Sequence, residues 1–151
     1  MSVINLKAIE QLYEEDYTLW LDQTANVLKT GDFSQLDITH LVEELEALGS
    51  EQRRKVKSYL RQLLKHILFY HYWSIPECKN HWSVEIDNFR VELKELIQSR
   101  TLYNYLLFVK DEVYRDAVRQ AKKKSDLKCF PEICPYTIEQ ILDIDFYPES
   151  I

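Results

Sequence analysis

The side chains best suited to chemistry are a group of glutamates and a pair of histidines in two consecutive stretches with helical periodicity. The glutamates are Glu43, Glu44 and Glu46, and the histidines are His66 and His71. Helical bundles can hold metal ions between facing helices with inward-facing glutamates and Glu-x-x-His motifs. One hypothesis is therefore a metal-dependent or acid–base site, with Glu43, Glu46 and His66 as candidate catalytic residues. Its metal ligands would be Glu46, His66 and His71, with a divalent cation as cofactor.

The spacing of these residues also fits a purely structural role. The sequence contains no Glu-x-x-His motif, and His66 and His71 are separated by i,i+5 spacing, which does not place both rings on one helix face. Buried polar atoms need hydrogen-bond partners whether or not they react. Under this second interpretation a glutamate pairs with His66 or with Arg90, or lies in water, and no cofactor is expected.

The apolar residues around the glutamates predict which acid faces the interior. Val42 and Leu45 define the predicted buried face of this stretch. Glu46 borders that face because it follows Val42 at i+4, whereas Glu43 and Glu44 lean progressively away from it. We therefore expect Glu46 or Glu43 to be the acid that reaches the first of the two histidines.

A second candidate site is a row of basic residues along one face of the next helical stretch. Its members are Arg54, Lys57, Arg61 and Lys65. Such a row can bind phosphates or an acidic protein. The formal net charge of −6 and the lack of interleaved exposed aromatic residues disfavour nucleic acid. The other interpretations are a solvated helix face, and a surface for an acidic partner protein or a second copy of the chain.

The helix that positions most of these residues is predicted from the longest apolar pattern in the chain, Leu41–Trp73. Gly49 and Ser50 have the character of a helix end followed by a helix start, so we expect a break there and a separate short helix over 38–48, capped by Asp37. After the break, apolar residues recur at spacings of three and four on one helix face. They are Val56, Tyr59, Leu60, Leu63, Leu64, Ile67 and Leu68.

Further helices are predicted on both sides of this central one. Gly31 ends the first, Asn80 caps another, and Thr137 with Gln140 forms a capping box for the last, which lies in a C-terminal segment that straps across the bundle. Their predicted ranges are 4–30, 82–97, 102–122 and 138–143. The fold class is therefore all-α, a single-domain bundle of about five to six helices with a C-terminal strap. Its predicted parts are a flexible segment or short turn (1–12), the helical domain (13–148) and a tail (149–151).

Composition agrees with this class. The sequence contains only two glycines and four prolines, so it can form few turns, which favours long helices. No apolar run approaches the ~20 residues of a membrane span, and the N-terminus lacks signal-peptide features, so we expect a soluble cytoplasmic protein without a membrane partner. Three cysteines without a C-x-x-C pair indicate neither a disulfide framework nor a zinc knuckle. Core packing explains most of the ten tyrosines and three tryptophans, and homodimerisation or partner binding is the other interpretation of this content.

Several fragments carry a resemblance to a known family. They are YEEDYTLWLDQTANVLKTGDFSQLD, HLVEELEALG (His40–Gly49), the pattern HW...I...R..L..L (His81–Leu96) and FPEICPYTIEQILDIDFYP (Phe130–Pro148). Together they resemble the bacterial family called domain of unknown function 29, which is abundant in cyanobacteria. The resemblance spans nearly the whole chain and implies an all-helical single domain in the bacterial cytoplasm. It implies no activity, because none is established for the family.

Two functional hypotheses follow. The one we favour is a non-catalytic accessory module that binds another protein or a second copy of itself. The alternative is metal-dependent or acid–base catalysis by the glutamates and histidines. An enzyme needs open space where a histidine and a glutamate converge, whereas a module needs those groups buried and satisfied, with an apolar patch outside.

Overall fold

Because glycine and proline are scarce, the polypeptide runs in long helices. The computed structural model describes residues 6–151, with side chains from residue 9 onward, and this part contains six α-helices, one 3-10 turn and no strand. The predicted all-α class is confirmed. The helices are α1 (Leu6–Glu15), α2 (Tyr17–Thr30), α3 (Ile38–Tyr72), α4 (Pro76–Leu96), α5 (Arg100–Ser125) and α6 (Ile138–Leu142), and the 3-10 turn is Phe33–Gln35.

The chain divides into two compact units, Met1–Ser50 and Glu51–Ile151. The first unit holds α1, α2 and the beginning of α3 around a small core of Ile9, Trp20 and Val27. The second holds the rest of α3 with α4, α5 and α6 around a larger apolar core. Each unit is thus built on its own set of buried side chains.

The N-terminal segment contains two helices where the sequence pattern predicts one. Asp16 separates them with φ −149°, and its side chain accepts a hydrogen bond from the Leu19 amide at 3.1 Å. Aspartate is a favoured N-cap residue, and here this local capping interrupts the continuous apolar pattern. Gly31 ends α2 at φ 79°, as predicted. Residues 6–12, expected to be flexible or a short turn, are helical, and residues 1–5 lie outside the described part.

The start of α3 is confirmed, and the predicted break within it is wrong. Asp37 Oδ1 accepts a hydrogen bond from the His40 amide at 3.3 Å, which is the contact of an N-cap residue. The helix then continues through Gly49 and Ser50 to Tyr72. A glycine in a helix interior costs only about 1 kcal/mol relative to alanine, and the flanking residues on both sides have a strong helical pattern. Gly49 is therefore tolerated inside the helix.

The core of the second unit follows the predicted face of α3. Six of the seven predicted apolar residues are buried, and Tyr59 packs partly buried against them. The fully buried residues that α4 and α5 add include Ile86, Leu93, Leu106, Ala117 and Ala121. Helix α4 begins at Pro76, earlier than the predicted cap at Asn80, because proline fits the first helical position, where no N–H donor is needed.

The C-terminal strap is fixed to this core by hydrogen bonds. The capping box of Thr137 and Gln140 forms as predicted and starts α6. Arg90 of α4 is fully buried and donates from Nε to the Ile141 carbonyl at 2.8 Å and from Nη2 to the Gln140 carbonyl at 3.2 Å. The predicted tail also has a partner, because the Ile151 amide donates to the His71 carbonyl at 3.0 Å.

Candidate functional site

The predicted acid site does not lie on a buried face. Glu43 and Glu46 are exposed, and the expectation that Val42 and Leu45 are buried is wrong, since they are 45% and 61% exposed. In the first unit, α3 packs through Leu41 against the small core instead. An apolar stripe marks a helix face that avoids water, but it does not say whether the rest of the chain or another molecule covers that face.

The two predicted histidines are held within the second unit. His66 donates from Nδ1 to the Gln62 carbonyl at 2.7 Å, and its ring lies between Phe69 and Phe89 with centroids 5.6 and 5.4 Å away. His71 Nδ1 lies 2.7 Å from the Tyr136 hydroxyl. Burial lowers the pKa of both rings, so both favour the neutral form.

The described residues contain no metal-binding cluster. Within residues 6–151 no group of three or more histidine, cysteine, aspartate or glutamate side chains could hold a metal ion. Glu43 and Glu46 belong to the first unit, and His66 and His71 to the second. The catalytic and metal-ligand assignments therefore remain sequence predictions.

The basic row is partly neutralised within the chain. Arg54 is exposed, whereas Lys57 forms an ion pair with Glu112, with 3.1 Å between Nζ and Oε1. Arg61 and Lys65 are half-buried. Burial lowers the pKa of Lys65, and the nearby charges of Lys124 and Arg61 lower it further. Of the four basic residues, Lys57 is thus paired with an acid of the same chain, Arg54 is exposed to solvent, and Arg61 and Lys65 are half-buried.

A different acid is engaged in the first unit, namely Glu44. The Tyr13 hydroxyl of α1 donates to Oε1 at 2.6 Å, and the Tyr17 hydroxyl of α2 donates to Oε2 at 2.5 Å. The hydrogen bond from Tyr13 is the main cause that lowers the pKa of Glu44, and the same contact raises the pKa of Tyr13 to about 12. Glu44 is therefore a charged carboxylate that joins three helices.

A second polar contact lies beside it. Asp37 is buried, and its Oδ2 accepts from the Trp20 indole N–H at 3.1 Å and lies 2.5 Å from His40 Nδ1. The His40 ring stacks on Tyr13 at 3.9 Å between centroids and 11° between planes. The hydrogen bond with Asp37 is the main cause that raises the pKa of His40, against the opposing effect of desolvation. Carboxylates and aromatic rings thus form one connected network in the first unit.

Next to this network lies an apolar groove between α2 and α3. Its volume is about 400 Å³. Glu44 and Tyr17 supply polar atoms to its lining, and the hydroxyl of the buried Thr24 has no hydrogen-bond partner among the described residues. The rest of the lining is mostly apolar: Trp20, Leu21, Ala25, Leu28, Leu41, Leu45 and Leu48. A concave, mainly apolar surface with a few polar groups is the usual form of a binding site.

Sequence reasoning assigned Leu45, one of the groove residues, to a buried face. It set Glu44 aside as an acid that leans away from the predicted buried face, and it did not consider His40 as a site residue. A signal was present, because Tyr13, Tyr17 and Trp20 share one helical spacing, and Asp37, His40 and Glu44 share another. The second set runs along one face of α3 from its N-cap, whereas the first set is divided between α1 and α2, so only the fold brings these groups together.

The groove and the network both lie in the stretch that a family model recognises. The model for Domain of unknown function DUF29 matches residues 12–147. The chain belongs to this family. The match includes the fragments on which the resemblance was based except for Pro148, the last residue of the final fragment, and it extends into both units. No curated protein and no solved structure matches the chain.

No helix in the described part of the chain has both the length and the apolar character that crossing a bilayer requires.

Proposed function

We propose that this protein is a non-catalytic interaction module of the bacterial cytoplasm, and that it binds a partner protein in the α2–α3 groove of its first unit. The observation that carries the proposal is the exposure of leucines that line a preformed groove. Leu28 and Leu48 are 44% and 58% exposed, and Leu21 and Leu45 are exposed with them. Contiguous exposed apolar surface of this kind is typical of protein–protein contact sites.

The polar network supports the proposal because it fixes the groove walls. Glu44 on α3 is tied to Tyr17 on α2 and to Tyr13 on α1, and Asp37 is tied to Trp20. A surface held in its binding geometry loses less conformational entropy when a partner docks. The network therefore has a structural task, which is the role that the module hypothesis assigns to buried polar groups.

The acid–base alternative has less support. Of its candidate residues, Glu43 and Glu46 are exposed, and His66 is engaged with the Gln62 carbonyl. A catalytic base needs access to a substrate proton in a site that can exclude water. None of these three residues lines the groove.

Site-specific photo-crosslinking tests the proposed function. A photoreactive phenylalanine analogue replaces Leu45 in the groove, and a matched variant carries it at Leu107, which is also exposed but lies on α5 in the second unit. Both are irradiated in cells of the source bacterium, and adducts are identified by mass spectrometry. We expect a discrete protein adduct at position 45 that is missing at position 107. The absence of an adduct at position 45, or the same adducts at both positions, would contradict the proposal.

A further inference from the structure

The charges of the chain are divided unequally between its two units. Residues 1–50 contain ten Asp and Glu and two Lys, a formal net charge of −8, whereas residues 51–151 contain seventeen Lys and Arg and fifteen Asp and Glu, a formal net charge of +2. The overall charge of −6 conceals this difference. The unit that carries the groove is therefore the acidic one.

The acidic character extends to the helices that form the groove. Asp22 on α2 and Glu43 and Glu46 on α3 are exposed. Lys29 is the only lysine or arginine between residues 17 and 50. Acidic residues around an apolar groove attract cations and repel anions, including phosphates and anionic membrane surfaces.

Glu44 has unused hydrogen-bonding capacity in the groove. A carboxylate offers about four lone-pair sites, and Tyr13 and Tyr17 each occupy one. The two hydroxyls hold the carboxylate in place while leaving room for another donor. Glu44 is half-buried, so an ammonium or guanidinium group that reaches it is less screened by water than at an open surface.

Thr24 is another polar residue in the groove, and its side chain lacks a hydrogen-bond partner among the described residues. Its side chain is only 5% exposed, and its hydroxyl has no hydrogen bond within the described residues. A buried hydroxyl without a partner carries a desolvation cost that a donor or acceptor from a bound molecule would remove. Thr24 and Glu44 both line the same groove.

The dimensions of the groove suit a helix. Its α2 wall runs from Tyr17 to Leu28, about 17 Å at the rise of an α-helix, or about three turns. Amphipathic helices dock in such grooves through apolar residues at i, i+3, i+4 and i+7. Leucines from both walls are available for these contacts.

We infer that the occupant of this groove is a basic amphipathic helix of a partner protein, with its apolar side chains on the groove leucines and a lysine or arginine on Glu44. The inference rests on the proposed function and specifies its partner. A second copy of this chain fits less well. No large apolar side chain is exposed between residues 51 and 72, which carry the basic row, and the exposed Phe108 on α5 is followed one turn later by Asp111 and Glu112.

A pair of synthetic peptides tests the charge of the occupant. Both have about 18 residues and share the same leucines at i, i+3, i+4 and i+7 and the same alanines. They differ only at a fixed set of polar positions, which carry lysines in one peptide and glutamates in the other. Isothermal titration with the full-length protein measures their dissociation constants. We expect the lysine peptide to bind at least about tenfold more tightly and to weaken as salt is added. Equal binding of the two peptides, or no binding of either, would overturn the inference.

A matched pair of variants tests the anchor. Glu44→Gln and Glu43→Gln remove the same charge at neighbouring positions of one helix, but only Glu44 lines the groove. We expect Glu44→Gln to weaken lysine-peptide binding about tenfold and Glu43→Gln less than about twofold. Equal effects would exclude Glu44 as the anchor. Circular dichroism checks folding, and the charge preference and salt dependence of the wild-type protein test the inference even if Glu44→Gln fails to fold.

Light scattering tests whether a second copy of the chain, rather than a partner protein, fills the groove. A wild-type dimer that dissociates on Leu45→Glu would mean that a second copy fills the groove, which would overturn the inference. A crosslinked partner at position 45 without any preference for the lysine peptide would also overturn it while leaving the proposed function intact. A monomer that prefers the lysine peptide supports the inference.

Discussion

At the scale of single residues, Asp37 links the start of α3 to the rest of the first unit. One carboxylate oxygen accepts from the His40 amide, and the other accepts from Trp20 and lies against His40 Nδ1. A buried carboxylate without such partners would pay a large desolvation cost. Burial by itself would raise the pKa of Asp37, but the hydrogen bonds from His40 and Trp20 lower it, so the carboxylate is charged at neutral pH.

The contact between His40 and Asp37 makes stability depend on pH. Because the folded-state pKa of His40 is raised, its stabilising contribution is complete below the unfolded value of about 6.5 and is lost as the pH rises through the folded value. We predict that the urea midpoint of the wild-type protein falls as the pH is raised above about 6.5. In His40→Gln the midpoint should fall less over the same pH range, because the contribution of His40 is missing. Urea titrations followed by circular dichroism at closely spaced pH values measure it.

The matched control is His81→Gln, which removes an exposed histidine from α4. The pKa of His66 and of His71 is lowered by burial, so their effect has the opposite sign: below about 6.5 they destabilise the folded state as the pH falls. The effect of His40 on stability therefore appears above about pH 6.5, and that of His66 and His71 appears below it. The prediction would be contradicted if, above about pH 6.5, the urea midpoint of His40→Gln fell as steeply as that of His81→Gln.

At the scale of helices, three ends that depend on local chemistry were predicted correctly. Gly31, Asp37 and the Thr137–Gln140 capping box act through bonds within a few residues of the chain, so the sequence contains all the partners. The prediction of a helix break at Gly49 was wrong, because the modest free-energy cost of a glycine inside a helix is outweighed by the helix-forming residues on both sides. Whether a glycine ends a helix depends on more than its own identity.

The candidate site was beyond prediction for a different reason. Glu44 bonds to Tyr13 and Tyr17, which lie 31 and 27 positions earlier on other helices. The periodicity of α3 alone favoured Glu46 or Glu43, because Val42 and Leu45 were assumed to face a core. A leucine stripe looks the same in sequence whether its own chain or a partner covers it, so only the fold identifies the engaged glutamate.

Arg90 determines how the C-terminal strap is held. It is fully buried, donates to the last carbonyls of α6, and lies 5.3 Å from the Tyr147 ring centroid. We predict that Arg90→Met destabilises the protein by about 3 kcal/mol, because the buried Ile141 carbonyl and the partly buried Gln140 carbonyl both lose a charged donor. The difference in urea midpoint, multiplied by the slope of the transition, measures it.

The control for this prediction is Arg115→Met, which replaces an exposed arginine on α5 in the same unit. Substitutions at such positions usually change stability by no more than about 0.5 kcal/mol. If the two variants have the same midpoint, the buried hydrogen bonds of Arg90 do not hold the strap.

At the scale of the whole molecule, the family match over residues 12–147 includes two units of very different charge. The first carries −8 and the second +2, so like-charge repulsion opposes folding mainly in the first. We predict that raising sodium chloride from about 0.02 M to about 0.5 M slows amide hydrogen exchange in α2 while exchange in α5 changes little. Mass spectrometry of peptides from each helix measures the rates. An equal response of α2 and α5 would show that repulsion within the first unit has no measurable effect.

The placement of the three tryptophans gives each unit its own optical signal. Trp73 and Trp82 belong to the second unit and stack at 5.5 Å between centroids and 24° between planes, whereas Trp20 is the only indole of the first unit and bonds to a carboxylate. The strong electronic transitions of two indole rings this close couple to one another, which yields paired bands of opposite sign in far-ultraviolet circular dichroism. Those bands follow the second unit, and the emission of Trp20, once the other two rings are replaced by phenylalanine, follows the first. The melting of each unit is thereby separately observable in an otherwise unlabelled chain.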